Sequence, residues 1–351
     1  MYIALLISFI IAFVATIPTI SLAKRFNLVT DAKKRKHPAH IHTGIIPRAG
    51  GLPIYIAIFI TTLLFVPVNH ILLGVLLGGF ILVADGLLDD FMDISPYLRL
   101  GINVGVAALV VSFGLGIPFI SSPFGGVIHL DQWKIVINFL GKHSILFIAD
   151  ALSIIWLVWL MNMVNWSKGV DGQLPGFVAV TAFFMGILAS RFTAHDISVV
   201  QVSTFSFIVA GAFLGFLPFN FYPQRIMPGY GGGSLAGFLL GVLSILSFGK
   251  VGTAILILSV PMIDAIYTVI RRLKSGHSIF RPDRGHFHHR LMDIGWGKRR
   301  IAVFYWGISF ILGVSSLFLP GTAEKVLAFI STAIVLLVFI GVTERMKDNK
   351  I

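Results

Sequence analysis

Four carboxylates fall within nine positions, Asp85-Gly-Leu-Leu-Asp89-Asp90-Phe-Met-Asp93, in a chain of 351 residues that has only 15 acidic ones. If helical, the run puts Asp85, Asp89 and Asp93 on one face. Like charges so close raise one another's pKa or require a cation. Hard carboxylate oxygens suit Mg²⁺, which bridges one or two carboxylates to a substrate phosphate. A solvated acidic helix end is the plainer reading, but carboxylates at a helix C-terminus oppose its dipole. Ser95-Pro96 then reads as an N-cap and first helical residue, so Arg99 sits in the next helix's first turns and either binds phosphate or pairs with Asp93.

Four further clusters carry chemistry. Asn162-Met-Val-Asn165-Trp-Ser-Lys168-Gly169-Val-Asp171-Gly172 combines amides and a carboxylate that can read a nucleotide or sugar with glycines that permit a tight backbone; a hydrogen-bonded turn is the alternative. Asn220 to Arg225 leads to Gly229-Tyr230-Gly231-Gly232-Gly233-Ser234, whose amides could hold an anion at a helix start or simply allow close helix packing. Arg281-Pro-Asp283-Arg284-Gly-His286-Phe-His288-His289-Arg290 concentrates three imidazoles and three guanidiniums in ten residues. That spacing is not a zinc motif, and the arginines suit bidentate diphosphate binding; a basic loop touching anionic lipid is the alternative. The last cluster runs from Asp31 through Lys33-Lys34-Arg35-Lys36 to His42, then Pro47-Arg48-Ala-Gly50-Gly51. Its lysines mainly orient the chain, and Arg48 with the glycines is placed for a ligand.

The elements that position these residues are membrane helices. The chain is 56% hydrophobic and 12% charged, too apolar for a soluble globule. Apolar stretches long enough to span recur throughout. They predict an all-α polytopic bundle, a single membrane domain over 1–351, with about eleven helices near 3–22, 50–66, 71–86, 100–117, 144–163, 175–190, 197–217, 234–248, 252–270, 302–319 and 325–343. The first lacks a cleavage site and stays as a span. Segments 24–49, 87–99, 164–174, 218–233, 271–301 and the C-terminus hold 22 of the 27 basic residues, which places them in the cytoplasm, with the N-terminus outside. The net charge of +12 thus follows topology and does not call for nucleic acid. Gly125-Gly126 and the alternating Val127 to Asp131 predict a short outer hairpin within 118–143, and the absence of cysteine excludes disulfides.

In order along the chain, the clusters resemble the polyprenyl-phosphate N-acetylhexosamine-1-phosphate transferase family. His42 to Gly51 is similar to its His-x-x-x-Ile-Pro-Arg-x-Gly-Gly, and Asp89-Asp90-Phe-Met-Asp93 to its Asp-Asp-x-x-Asp. Asn162 to Gly172 resembles Asn-x-x-Asn-x-x-Asp-Gly-x-Asp-Gly, and Asp283 to Leu291 resembles Asp-Arg-x-His-x-His-His-Arg-Leu, the form of the GlcNAc-1-phosphate and teichoic-linkage branch.

The resemblance implies a multi-pass plasma-membrane enzyme, cytoplasmic at its active face. Its substrates would be a UDP-sugar and polyprenyl (undecaprenyl) phosphate, with UMP released and Mg²⁺, or Mn²⁺ in its place, as cofactor. Asp89 and Asp90 are then the metal and lipid-phosphate residues, one of them a candidate base. Asp171 and His286 complete the catalytic set. Arg48, Asn162, Asn165, Lys168, Asn220, Gly231, Asp283, Arg284, His288, His289 and Arg290 are the binding set. Lys168 and Tyr230 depart from the family, standing where acidic residues are expected. Either the Lys168 ammonium replaces part of a metal contact, or the site has lapsed into a binding protein. A polyprenyl-lipid transporter is a third reading, opposed by the lack of an internal repeat. Oligomeric state, homodimer included, is left open.

Overall fold

The computed structural model describes residues 1–31, 44–138, 142–191, 197–247, 251–279, 283–319 and 321–348. In chain order its elements are α1 (Tyr2–Arg25), β1 (Val29–Asp31), β2 (Ile45–Pro47), α2 (Gly51–Phe65), α3 (His70–Met92), α4 (Pro96–Ser112), β3 (Phe119–Ser121), β4 (Val127–His129), β5 (Lys134–Asn138), β6 (Lys142–Leu146), α5 (Phe147–Trp166), α6 (Gln173–Ser190), α7 (Ile197–Asn220), α8 (Gly229–Leu246), α9 (Val251–Ile257), α10 (Ser259–Lys274), α11 (Phe287–Asp293), α12 (Lys298–Phe318) and α13 (Thr322–Asp348). Among the described residues, eight helices are long and apolar enough to cross a membrane, or nine if the bent pair α9 and α10 is one span. The apolar helices α2 and α4 are shorter. The protein is a mostly helical, multi-pass membrane protein.

Glycine decides how the helices pack. In α8 94% of the spanning window is buried, against 17% in the peripheral α13, so α8 is the centre of the bundle. Apolar on every side, it is suited to full enclosure. Its glycines let neighbours approach to backbone contact: a methyl group on Gly86 of α3 would lie 2.2 Å from the Gly231 Cα, and one on Gly237 2.2 Å from the Leu160 carbonyl oxygen of α5.

The all-α expectation needs one amendment. Among the described residues there are three antiparallel two-stranded ladders, β1 with β2, β3 with β4, and β5 with β6. The expected outer hairpin forms, with Ile120 opposite Ile128 and Gly125 and Gly126 at positive φ in its turn. The second, β5–β6, was expected partly as helix: the span predicted from 144 begins at Phe147, because residues 142–146 pair with 134–138.

Other helix limits differ: α4 ends at Ser112 where 117 was expected, α13 runs from Thr322 to Asp348 where 325–343 was expected, and three further differences bear on the site. The helix expected to end at 86 continues to Met92 and stops at Asp93, a C-cap residue in the left-handed region at φ 56°. Asp93 therefore leaves the helical face it was expected to share with Asp85 and Asp89, and its side chain is 64% exposed. The helix expected from 234 begins at Gly229, taking the glycine run into its first turns. The helix expected over 252–270 is broken, α9 and α10 meeting at 84°. Pro261 in the first turn of α10 supplies no amide for a helix continuing through the break. The expected Ser95 cap is present, its hydroxyl accepting from the Leu98 amide at 3.3 Å with Pro96 following.

Candidate active site

The ladder β1–β2 delivers Arg48 to the end of α3. Its exit is stitched to the segment before α8: Met227 N donates to Pro47 O at 2.7 Å, Gly50 N to Met227 O at 3.0 Å and Gly51 N to Pro228 O at 3.0 Å. Gly229 begins α8 at φ 71°, where a methyl group would strike the Arg48 carbonyl oxygen at 2.0 Å and Asp90 Oδ2 at 2.5 Å. Only glycine fits that corner without strain.

Arg48 Nε stands 2.9 Å from Asp90 Oδ1 and its Nη2 4.0 Å from Asp89 Oδ2. Arg99, from the first turn of α4, donates through Nε to Asp89 Oδ1 at 2.6 Å, with Asp93 farther off at 3.4 Å. Of the two roles expected for Arg99, pairing with a carboxylate is the one seen, and Asp89 is the nearer partner. Asp85, Asp89 and Asp90 are all buried.

Lys168 is the third cation. Its ammonium donates to Asn165 Oδ1 at 2.6 Å and to the Gly229 carbonyl at 2.8 Å. Burial pushes it down to about 7, helped by Arg48 and resisted by Asp90 and Asp89. The Tyr230 ring lies 5.0 Å from the Arg99 guanidinium and 5.7 Å from the Lys168 ammonium, and its hydroxyl accepts from Asn103 Nδ2 at 3.2 Å. Where the resemblance leads one to expect carboxylates, this chain has an ammonium and an aromatic ring in one network.

The loop after α5 continues from Lys168 into two other groups. At Gly169 the backbone meets His288, whose Nε2 would be 2.0 Å from a methyl group there. Asp171, buried, accepts from the Gln224 amide at 3.4 Å and from Lys298 at 3.5 Å. Burial pushes the Asp171 carboxyl up, against the opposing charge of Lys298. Asn220 holds the loop, accepting from the Gly172 amide at 3.0 Å and donating to Ile226 O at 2.9 Å, while Trp306 Nε1 donates to Gly172 O at 3.1 Å.

The histidine motif forms the short helix α11 and its N-cap. His286 Nδ1 is 3.2 Å from Asp264 Oδ2, its ring stacks on His288 at 5.6 Å, and His288 in turn meets His289 at 4.4 Å. Burial and the neighbouring histidines drive His288 well below the ordinary imidazole range, and burial with Arg284 and His286 takes His289 to about 4. Both are neutral at pH 7. Burial raises the Asp283 carboxyl, but hydrogen bonds from Arg272 and Gly285, with the Arg272 and Arg271 charges, outweigh it and hold the group at about 2.

Not every expected residue is gathered at the carboxylates. Arg48, Asn165, Lys168, Asp89 and Asp90 are. Gly231 serves the α3–α8 contact. Asn162 donates to Val158 O in its own helix at 2.8 Å. Arg284 pairs with Asp293 at 3.2 Å, and Arg290 pairs with Glu344 of α13 under the Tyr267 ring. His42 and the lysine run lie outside the described residues. Two participants were missed, Asn103 and Lys298. Asn103 had a signal, being the single amide side chain among residues 100–111.

The donor set fits a hard cation of the Mg²⁺ type. Among the described residues, Asp89 Oδ2 and both oxygens of Asp85 are buried without a hydrogen-bond partner. Among the described residues no three His, Cys, Asp or Glu side chains form a cage. Mg²⁺ needs none, since it commonly uses one or two carboxylates and completes its shell with water and substrate phosphates.

Buried carboxylates paired with guanidiniums, at the ends of membrane helices and beside a histidine helix, define a membrane enzyme that handles phosphate. A sequence profile described as glycosyl transferase family 4 matches residues 72–248, and the chain belongs to that family. It is 28% identical to the Bacillus subtilis (strain 168) protein named "Probable undecaprenyl-phosphate N-acetylglucosaminyl 1-phosphate transferase", over 93% of this chain and 88% of that one. It is 29% identical to a decaprenyl-phosphate N-acetylglucosaminephosphotransferase of Mycobacterium tuberculosis (strain CDC 1551 / Oshkosh), over 88% and 80%. A phospho-N-acetylmuramoyl-pentapeptide-transferase of Geobacillus sp. (strain WCH70) matches at 27%, over 91% and 97%.

Proposed function

We propose that this protein transfers an N-acetylhexosamine-1-phosphate from a UDP-sugar to polyprenyl phosphate, releasing UMP, as a first step of cell-envelope glycan synthesis. The observation that carries the reading is the meeting of Asp89 and Asp90 with Arg48 and Arg99 beside Lys168, whose loop also touches the histidine helix. In this reading eleven spans place the N-terminus outside and the site in the cytoplasm, in agreement with the basic-residue count.

An oxygen of the lipid phosphate attacks the β-phosphorus of the UDP-sugar. The new phosphorus–oxygen bond forms as the bond to the UMP oxygen breaks, and UMP leaves with that electron pair. Such transfer needs positioning and neutralised charge more than covalent help. Arg48 and Arg99 orient the two carboxylates, Lys168 offers its remaining N–H to a phosphate oxygen, and the α11 histidines line the donor's side. Mg²⁺ or Mn²⁺, held by Asp89 and Asp90, would neutralise phosphate charge when bound. Asp171 and Asn220 shape the loop that receives the nucleotide.

One observation favours a second reading, a lapsed relative that binds substrate without turnover: Arg48 and Arg99 already pair with Asp90 and Asp89, and Lys168 stands beside them. UMP release by the purified protein separates the two, assayed with polyprenyl phosphate, a panel of UDP-sugars and Mg²⁺, Mn²⁺ or EDTA. Metal-dependent release lost in Asp90→Asn supports the transferase. No release from folded protein with any donor would leave the binding protein.

A further inference from the structure

Asp264 is 2% exposed and lies just past the 84° break between α9 and α10. A buried carboxylate is costly unless its oxygens are used. Here both are. Oδ1 accepts from the Phe287 amide at 2.8 Å, and Oδ2 lies 3.2 Å from His286 Nδ1. One turn along α10, the Thr268 hydroxyl is 3.4 Å from the same nitrogen. A single side chain thus grips the N-cap residue of α11 and the first amide of that helix. The His286 ring is further bounded by His288, with planes 6° apart, and by Trp166 at 6.4 Å.

The other two imidazoles of the motif are held differently. Among the described residues, Nδ1 of His288 and Nδ1 of His289 are buried without a hydrogen-bond partner, whereas Nδ1 of His286 faces a carboxylate. A carboxylate on one ring nitrogen selects the tautomer, fixes the ring plane and stabilises the imidazolium.

We propose that Asp264 is a positioning residue: it accepts from His286 Nδ1–H and so favours the doubly protonated ring, whose Nε2–H then faces an anionic oxygen of the diphosphate substrate. This rests on the transferase reading above. No proton is transferred. The ring donates through Nδ1–H to Asp264 and through Nε2–H to the phosphate, and its charge offsets the negative charge that moves onto departing UMP. The break in the helix has a use in this arrangement, since it turns Asp264 toward the loop that carries α11.

Asp264→Asn is the informative change, because its amide oxygen can still accept from Phe287 while its NH₂ faces Nδ1 and forces the proton to Nε2. The expected result is a fall of about 100-fold in kcat for UMP release, with KM for the UDP-sugar within about threefold. The double variant Asp264→Asn/His286→Ala is expected to be no slower than His286→Ala, as befits two residues acting as one unit. Histidine ¹⁵N spectra of the full chain in nanodiscs should show His286 protonated at both ring nitrogens in the wild type and only at Nε2 in Asp264→Asn.

Full kcat in Asp264→Asn with His286→Ala inactive would overturn the proposal and leave the transferase reading standing. Losses that add in the double variant would make Asp264 merely structural and overturn it too. Full turnover in His286→Ala would remove the assignment of His286 itself, and the proposal with it. Should the Asn variant fail to fold, a wild-type His286 protonated at Nε2 alone would be sufficient refutation.

Discussion

The ammonium of Lys168 donates to the carbonyl oxygen of Gly229 at 2.8 Å, joining the loop after α5 to the first residue of α8. Two motifs 61 positions apart become one wall of the site. The link depends on an ammonium, since a carboxylate at 168 would face that carbonyl with a second acceptor.

Lys168→Met is therefore expected to lower kcat by about 100-fold, losing both the tie to Gly229 and a charge aimed at phosphate. Steady-state UMP release checks it. A variant with wild-type turnover would remove Lys168 from the mechanism.

Arg48 is the charge partner of Asp90, and both side chains are largely buried. Removing one member of such a pair leaves an unpaired buried charge, at a cost of about 3–5 kcal/mol. Arg48→Ala should lower the unfolding midpoint in detergent by several degrees and abolish UMP release. Arg290→Ala, which loses a partly exposed pair with Glu344, should cost stability of at most about 1 kcal/mol.

Gly86 and Gly231 meet at backbone distance. Gly86→Ala must push α3 from α8, and overpacking of this kind costs about 1–3 kcal/mol. Because Asp85, Asp89 and Asp90 flank the contact, turnover should fall further than the thermal shift alone accounts for. An alanine variant with unchanged melting and kcat would show that the helices are not in contact.

His289 sets an acid limit. Held at about 4 in the fold against about 6.5 in the unfolded chain, it is neutral in the native state while the unfolded state takes up a proton. The stability it contributes is complete above about 6.5 and is lost as pH falls from there through about 4. Melting curves from pH 7.5 to 4 should show that decline, and His289→Asn should flatten it.

Much of the site could be read from residue types alone. The acidic run, Arg48, Lys168 and the histidine loop stood out because a charge beside a membrane span is expensive and rarely incidental. The β3–β4 hairpin was legible in Gly125-Gly126, and the Ser95 cap in Ser-Pro. The β5–β6 hairpin was not, since residues 142–146 differ little in local pattern from the helix that follows. Asn103 was passed over although it is the single amide among residues 100–111, and Lys298 because it gains meaning only from a partner more than a hundred residues away.

The amino-acid sequence by itself determined that this chain is a membrane bundle, which family its motifs resemble, and which residue types it brings to a phosphate site. Those are properties of hydropathy and local spacing. Tertiary structure decided that Asp90, and not Asp93, joins Asp85 and Asp89 in the buried cluster, because α3 ends in a left-handed cap where α8 closes against it. It also decided that Asp264 faces His286 and that Lys168 reaches Gly229. Such choices follow from which helices can approach at their glycines and where a helix breaks, and helical periodicity along one segment carries no record of the neighbour it will meet.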